Sequence, residues 1–166
     1  MAGEGHRKTA AGYDMTDVEE DTAALLGRLE LQALILDECR VKRGRAEDAT
    51  PGDVQTDLSV AIAHGDPIVF TVRTLNAFHN QADDMIAEIE ASFSASYTYT
   101  GDRPTERAVQ NYAREALMIQ VLPFVREFLA SMTNRLGLTP FYLPLFGPAA
   151  EVLRTAQQVP PGADRG

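Results

Sequence analysis

The sequence predicts an α+β fold, a four-stranded antiparallel sheet with helices packed on one face. Three observations carry the class. Four segments between residues 33 and 100 read as strands, the clearest of them alternating apolar and polar side chains, which gives a strand one buried face. The later strands are joined by short polar turns, which enforce antiparallel pairing. From Pro104 onward the apolar period lengthens to that of helices. Strands first and helices afterwards is the α+β order.

Each element follows from its residues. Residues 1–15 are rich in Gly, Ala and charge without a period and read as a mobile leader; 16–148 read as a single domain and 149–166 as a mobile tail. Thr16 and Glu19 fit a capping box, and Val18, Leu25, Leu26 and Leu29 recur at helical spacing, predicting a helix over residues 17–31. Residues 33–43 read as a strand with Ile35, Cys39 and Val41 on one side, interrupted there by Asp37. Residues 44–52, ending in Thr50-Pro51-Gly52, read as a loop. Val54, Thr56, Leu58, Val60 and Ile62 then face one way along a second strand. After the turn His64-Gly65-Asp66-Pro67 comes a third, with Ile68, Phe70 and Val72 together. After a polar turn at 80–84 comes a fourth, over 85–100, with Ile89, Ala91, Phe93, Ala95, Tyr97 and Tyr99 opposed to Glu88, Glu90, Ser92, Ser94, Ser96 and Thr98. Pro104-Thr105-Glu106 opens a helix with the stripe Val109, Tyr112, Ala113, Ala116 and Leu117. Pro123 predicts a break, because proline lacks an N–H and disfavours helix at Leu122. A second helix restarts there, with Val125, Phe128, Leu129, Met132 and Leu136 on one face and Gly137 as its C′ residue. Residues 138–146 are strongly apolar, yet Pro140 and Pro144 forbid both a helix and a central strand.

Composition bounds the function. The chain has 166 residues, 45% of them hydrophobic and 23% charged, and a formal charge of −9. Such an acidic chain is a poor general binder of nucleic acid, which needs clustered Lys and Arg. A single cysteine, Cys39, forbids an intrachain disulfide and fits a reducing compartment. No uninterrupted apolar run approaches the roughly 18 residues of a membrane span, and Arg7 and Lys8 precede no apolar stretch of a secretory signal. The expectation is a cytoplasmic domain without membrane insertion.

The residue types that carry chemistry are scattered. His6, His64 and His79 fall in the leader, a turn and a strand end, where solvent exposure is expected, and none has ligand spacing. No metal site, cofactor or catalytic group is expected, and the chain does not read as an enzyme. Its strongest enzyme candidate would join His79 to Asp83 or Glu88. Cys39 reads as a small buried apolar residue. Asp83, Asp84, Glu88 and Glu90 read as a solvated face, with nothing buried to shift their titration. Two features exceed a plain core. The apolar segment 138–146 is either a loop over the core or the wall of an apolar groove. The polar sheet face with Asp57, Glu88 and Glu90 serves either solubility or the docking of a basic partner.

The order of elements, with Leu122-Pro123-Phe124-Val125-Arg126-Glu127 opening the last long helix and a Pro-punctuated apolar tail from Pro140 to Phe146, resembles the SecB-type export chaperones. The resemblance covers about residues 31–146. It implies ATP-independent holding of unfolded or aggregation-prone polypeptides in apolar grooves. It also implies a homotetramer built as a dimer of dimers. The client-binding residues it implies are Phe93, Tyr97, Phe124, Phe128, Leu138, Phe141, Tyr142, Leu143 and Phe146. The chain departs from the export type after residue 148, where Arg154 and Arg165 stand beside Glu151 and Asp164 instead of a basic tail, which argues against docking to the SecA motor. The helix expected before the first strand looks more like the SecB-like chaperones of toxin–antitoxin systems, so the alternative client is a single antitoxin.

Overall fold

In the computed structural model, residues 22–143 are described. Four strands, β1 (Leu29–Arg43), β2 (Asp53–Ala63), β3 (Ile68–His79) and β4 (Met85–Tyr99), form one antiparallel sheet in the order β1-β4-β3-β2. The two inner strands bury their alternate residues most fully: Ile68, Phe70, Val72 and Phe78 on β3, and Ile89, Ala91, Phe93, Ala95 and Tyr97 on β4. The other face stays wet and polar, as the alternation demands.

Helix α1 (Glu106–Tyr112) begins at Thr105, whose side chain accepts the Ala108 N–H at 3.2 Å. It runs through a wide π-helical turn (Ala113–Leu117) into α2 (Met118–Arg135). Val109, Tyr112, Leu117, Val121, Val125 and Leu129 are buried in the core shared with the sheet. Glycine 137 takes φ +75°, and its N–H and that of Leu138 close back on Asn134 and Thr133 at 3.0 Å each. This Schellman closure ends α2 where the sequence predicts.

The connection from β1 to β2 crosses the end of the sheet from one edge to the other. It is pinned to the ends of β4 and β3 that flank their turn, by the Gly44 N–H on the Ile86 carbonyl (2.7 Å) and the Gly52 N–H on the His79 carbonyl (2.8 Å). A Cβ on Gly44 would stand 1.7 Å from the Met85 carbonyl oxygen, so only glycine fits.

Four expectations are corrected. First, β1 begins at Leu29, not at residue 33, and the helix before it occupies residues 22–26 of the described chain; Thr16, Val18 and Glu19 lie outside the described residues. Second, β1 carries irregularities between Leu31 and Ala33 and between Leu36 and Glu38. The bulge at Asp37 reverses the alternation, because an extra residue exchanges the faces of everything beyond it. Ile35 therefore pairs with Ser94 on the outer face, while Cys39 and Val41 pair with Ala91 and Ile89 on the helix side. Third, the helix does not break at Pro123, which lies inside α2. Pro123 and Ile119 are both exposed, so the carbonyl that loses its N–H partner lies on the hydrated side of the helix. The irregularity sits one and a half turns earlier, in the π turn. Fourth, the helical run Glu106–Arg135 is by length and composition long and apolar enough to cross a bilayer, but half of its most apolar window is buried in the protein, the pattern of a core helix.

Candidate functional site

Helix α2 is too narrow to cover four strands, and apolar surface remains open along both of its flanks. On the β1 side, Leu34, Leu36, Cys39 and Val41 face the helix layer in register with Ala95, Phe93, Ala91 and Ile89 of β4. The central strand is covered, since the Phe93 and Phe128 rings meet edge to face at 5.5 Å. The edge strand is not. Leu36 is 42% exposed, Val41 37% and, one helical turn before Phe128, Phe124 50%. Cys39 lies in this open strip, exposed and not buried as the sequence suggested, because β1 is an edge strand beyond the reach of the helices. Partial burial raises its thiol pKa above the ordinary value.

The second opening lies on the other flank, between α2 and the segment returning after Gly137. Pro123, Arg126, Glu127, Ala130, Ser131 and Asn134 form one wall, and Pro140 and Tyr142 the other, of a depression of about 690 Å³. Tyr142 is 57% exposed, with the Arg126 guanidinium 6.0 Å from its ring centre. The segment is held from beneath by the Phe141 N–H on the Thr133 hydroxyl (3.0 Å) and by the Phe141 ring edge to face on Phe78 (5.3 Å).

The nine client-binding residues expected from the sequence therefore separate. Phe124 and Phe128 lie beside the β1 opening and Tyr142 in the tail depression, whereas Phe93, a further correction, is buried in the core beneath Phe128. Leu138 and Leu143 are buried and anchor the segment; Phe141 is half buried against the core. Tyr97 is fully buried, a correction: its ring packs between Phe70 (5.4 Å) and Tyr112 (5.6 Å) with no open surface. Phe146 lies outside the described residues. The sequence reading missed Leu34, Leu36, Val41 and Ile119; the last, on α2, is 76% exposed.

Asp57, Glu88 and Glu90 share the outer face of the sheet. Glu88 pairs with Lys42, its carboxylate 3.7 Å from the ammonium, and Glu90 pairs with Arg40. Asp57 pairs with Leu75, and the exposed Arg73 stands two residues along β3 on the same face. This face is thus mixed in sign, with Lys42, Arg40 and Arg73 among its carboxylates.

His6 lies outside the described residues, and the two described histidines do not assemble a reactive group. His64 and His79 are half buried instead of exposed, because both lie where turns close over strand ends. His79 pairs with Asp53 and Met85, not with Asp83 or Glu88, and its Nδ1 is buried without a partner. Among the described residues, no three of His, Cys, Asp and Glu gather as metal ligands.

No family model matches the sequence, and no curated protein sequence matches it. Among solved structures, a SecB-like chaperone from Mycobacterium tuberculosis, in complex with a ChAD peptide from the HigA1 antitoxin, superposes with a TM-score of 0.66 at 26% identity, covering 77% of this chain and 97% of that one. A protein of unknown function from Streptococcus agalactiae superposes with a TM-score of only 0.33 at 12% identity over 70% of this chain and 97% of that one, and nothing rests on it. The fold is that of a SecB-like chaperone, as the Pro123–Glu127 and Pro140–Phe146 motifs and the order of elements implied.

Proposed function

We propose that this SecB-like protein is an ATP-independent holdase that binds unfolded or aggregation-prone polypeptides along the two apolar openings beside α2. The observation that carries the proposal is the set of large apolar side chains left open there: Leu36, Val41, Ile119, Phe124 and Tyr142. Large apolar side chains left exposed in clusters mark interaction sites, and aromatic rings give sequence-tolerant contact area. Holding a chain needs no catalytic residue and no cofactor, in line with the scattered histidines and carboxylates. The net charge of −9 keeps such a surface dispersed.

The experiment is suppression of aggregation of a chemically unfolded client without nucleotide. Wild-type protein is expected to suppress it at stoichiometric amounts, and absence of suppression overturns the proposal. The double variant Phe124→Ser, Tyr142→Ser removes two half-exposed rings, so it should keep its thermal midpoint within a few degrees while losing about tenfold or more in client affinity. Phe141→Ser, by contrast, should destabilise the fold, because that ring packs on Phe78.

A dedicated antitoxin-binding role is the second reading. The similar M. tuberculosis chaperone holds an antitoxin peptide. Tight binding of one defined peptide with poor protection of generic unfolded chains would favour it. Assembly belongs to the proposal, up to a homotetramer built as a dimer of dimers: further copies meeting along the helix-side face of β1 would take up Leu36 and Val41 and leave Ile119, Phe124 and Tyr142 to the client. The carboxylates of the outer face, Asp57, Glu88 and Glu90, would meet a basic partner; a SecA-like motor is the weaker candidate, since over residues 149–166 Arg154 and Arg165 are balanced by Glu151 and Asp164. The working compartment proposed is the cytoplasm.

A further inference from the structure

Gln120 joins two buried tyrosines. The Tyr97 hydroxyl of β4 donates to its Oε1 at 2.8 Å, and its Nε2 donates to the Tyr112 hydroxyl at 3.0 Å. Among the described residues, the Tyr97–Gln120 bond is the one side-chain to side-chain hydrogen bond between the helix layer and the sheet. Tyr112 and Gln120 are eight residues apart, and the wide turn lies between them. On a straight α-helix, at about 100° per residue, that separation leaves them about 80° apart. A π turn takes in about one extra residue and cancels most of that offset, bringing Gln120 onto the face of Tyr112. The wide turn therefore brings the relay into register.

The stretch that follows is weakly tied by its own backbone. It lies between the π turn and Pro123, which offers no N–H to Ile119. It also carries Ile119 and leads into Phe124, two of the most open apolar side chains in the molecule. We propose that Gln120 is a positioning residue for client binding: by clamping Tyr97 to Tyr112 across the wide turn, it fixes the rotation of α2 and so directs Ile119, Pro123 and Phe124 toward the openings. This rests on the holdase reading; Gln120 itself touches no client.

The test uses the full chain and, as probe, reduced and carboxymethylated α-lactalbumin, a permanently unfolded polypeptide. Gln120→Met keeps the length and removes the relay. Gln120→Glu restores it, because both tyrosine hydroxyls can donate to the carboxylate. Q120M is expected to stay folded, to exchange its amides faster across residues 113–123, and to bind the probe about tenfold more weakly. Q120E is expected to keep wild-type exchange and affinity. Wild-type affinity in folded Q120M overturns the inference, and so does equal loss in Q120M and Q120E. If Q120M does not fold, Tyr97→Phe, which keeps the ring and deletes one hydroxyl, takes its place with the same two outcomes. Failure of the wild-type protein to bind the probe sinks the holdase reading instead, while the exchange comparison still decides whether Gln120 holds the turn.

Discussion

Thr133 is fully buried in α2, and its hydroxyl serves three backbone groups. It donates toward the Leu129 and Ala130 carbonyls (2.8 and 3.1 Å) and accepts the Phe141 N–H (3.0 Å). Thr133→Val keeps the shape and orphans that N–H, at a cost of about 1–3 kcal/mol. The variant is expected to unfold at lower urea, to be clipped earlier by protease after Gly137, and to bind clients more weakly, because Tyr142 loses its support. Thr133→Ser, measured alongside, should behave as wild type. At the same scale, burial raises the Tyr97 and Tyr112 hydroxyl pKa values above their ordinary one. A raised folded pKa means that the stabilisation is whole below the unfolded value, about 10, and is lost as pH climbs past it. Of five tyrosines, these two are expected to show tyrosinate absorbance only as the protein unfolds in alkali. Tyr97→Phe should flatten that alkaline loss; a smooth titration of both rings in the folded state would refute the assignment.

At the scale of elements, the crossover between β1 and β2 depends on Gly44, whose place beside the Met85 carbonyl admits no side chain. Gly44→Ala is expected to cost at least about 2 kcal/mol, read as a drop in denaturation midpoint with the m-value unchanged. The same elements mark how far sequence reasoning reached. β2, β3 and β4 were legible because each keeps an alternation with one buried face over most of its length, β4 from Ala87 onward, past an irregularity at Ile86. β1 was legible only as a strand: the bulge at Asp37 exchanges its faces, and a pattern of period two cannot register an inserted residue. The helices were legible as two apolar stripes that do not align on one straight helix. The visible cause was Pro123, but the π turn absorbs the mismatch, and nothing in Ala113-Arg114-Glu115-Ala116-Leu117 announces it. For the candidate site, Tyr142 was readable because an apolar stretch with two prolines must run outside regular structure. Leu36 and Val41 were not, because whether a strand residue is covered depends on which strand lies at the edge, a property of the sheet order.

At the scale of the whole molecule, the edge strand poses the question of partners. Among the described residues β1 pairs only with β4, and fifteen residues make a long edge. Folded proteins guard such edges against pairing with bulges and charge, and β1 does so on its outer face: Gln32 reaches Thr98, Asp37 takes the Ser94 hydroxyl, and Arg40 and Lys42 follow. Among the described residues its helix-side face has no such guard: Leu36, Cys39 and Val41 run along it exposed, while Leu34 is partly buried against the core. Guarding one face and leaving the other greasy suits an assembly in which copies meet over the helix layer while the outer face stays in water. Leu36→Asp together with Val41→Asp would put two carboxylates into that contact. The double variant is expected to raise the dissociation constant of the assembly at least about tenfold, roughly 1.4 kcal/mol, and to sediment as smaller species. Because both side chains are already partly exposed in the single chain, its far-ultraviolet spectrum should not change. Cys39 lies between them on the same face and gives an independent reading: its thiol should react slowly with a maleimide in the wild-type assembly and quickly in the variant. Equal labelling rates with unchanged mass would leave the strip open to clients alone.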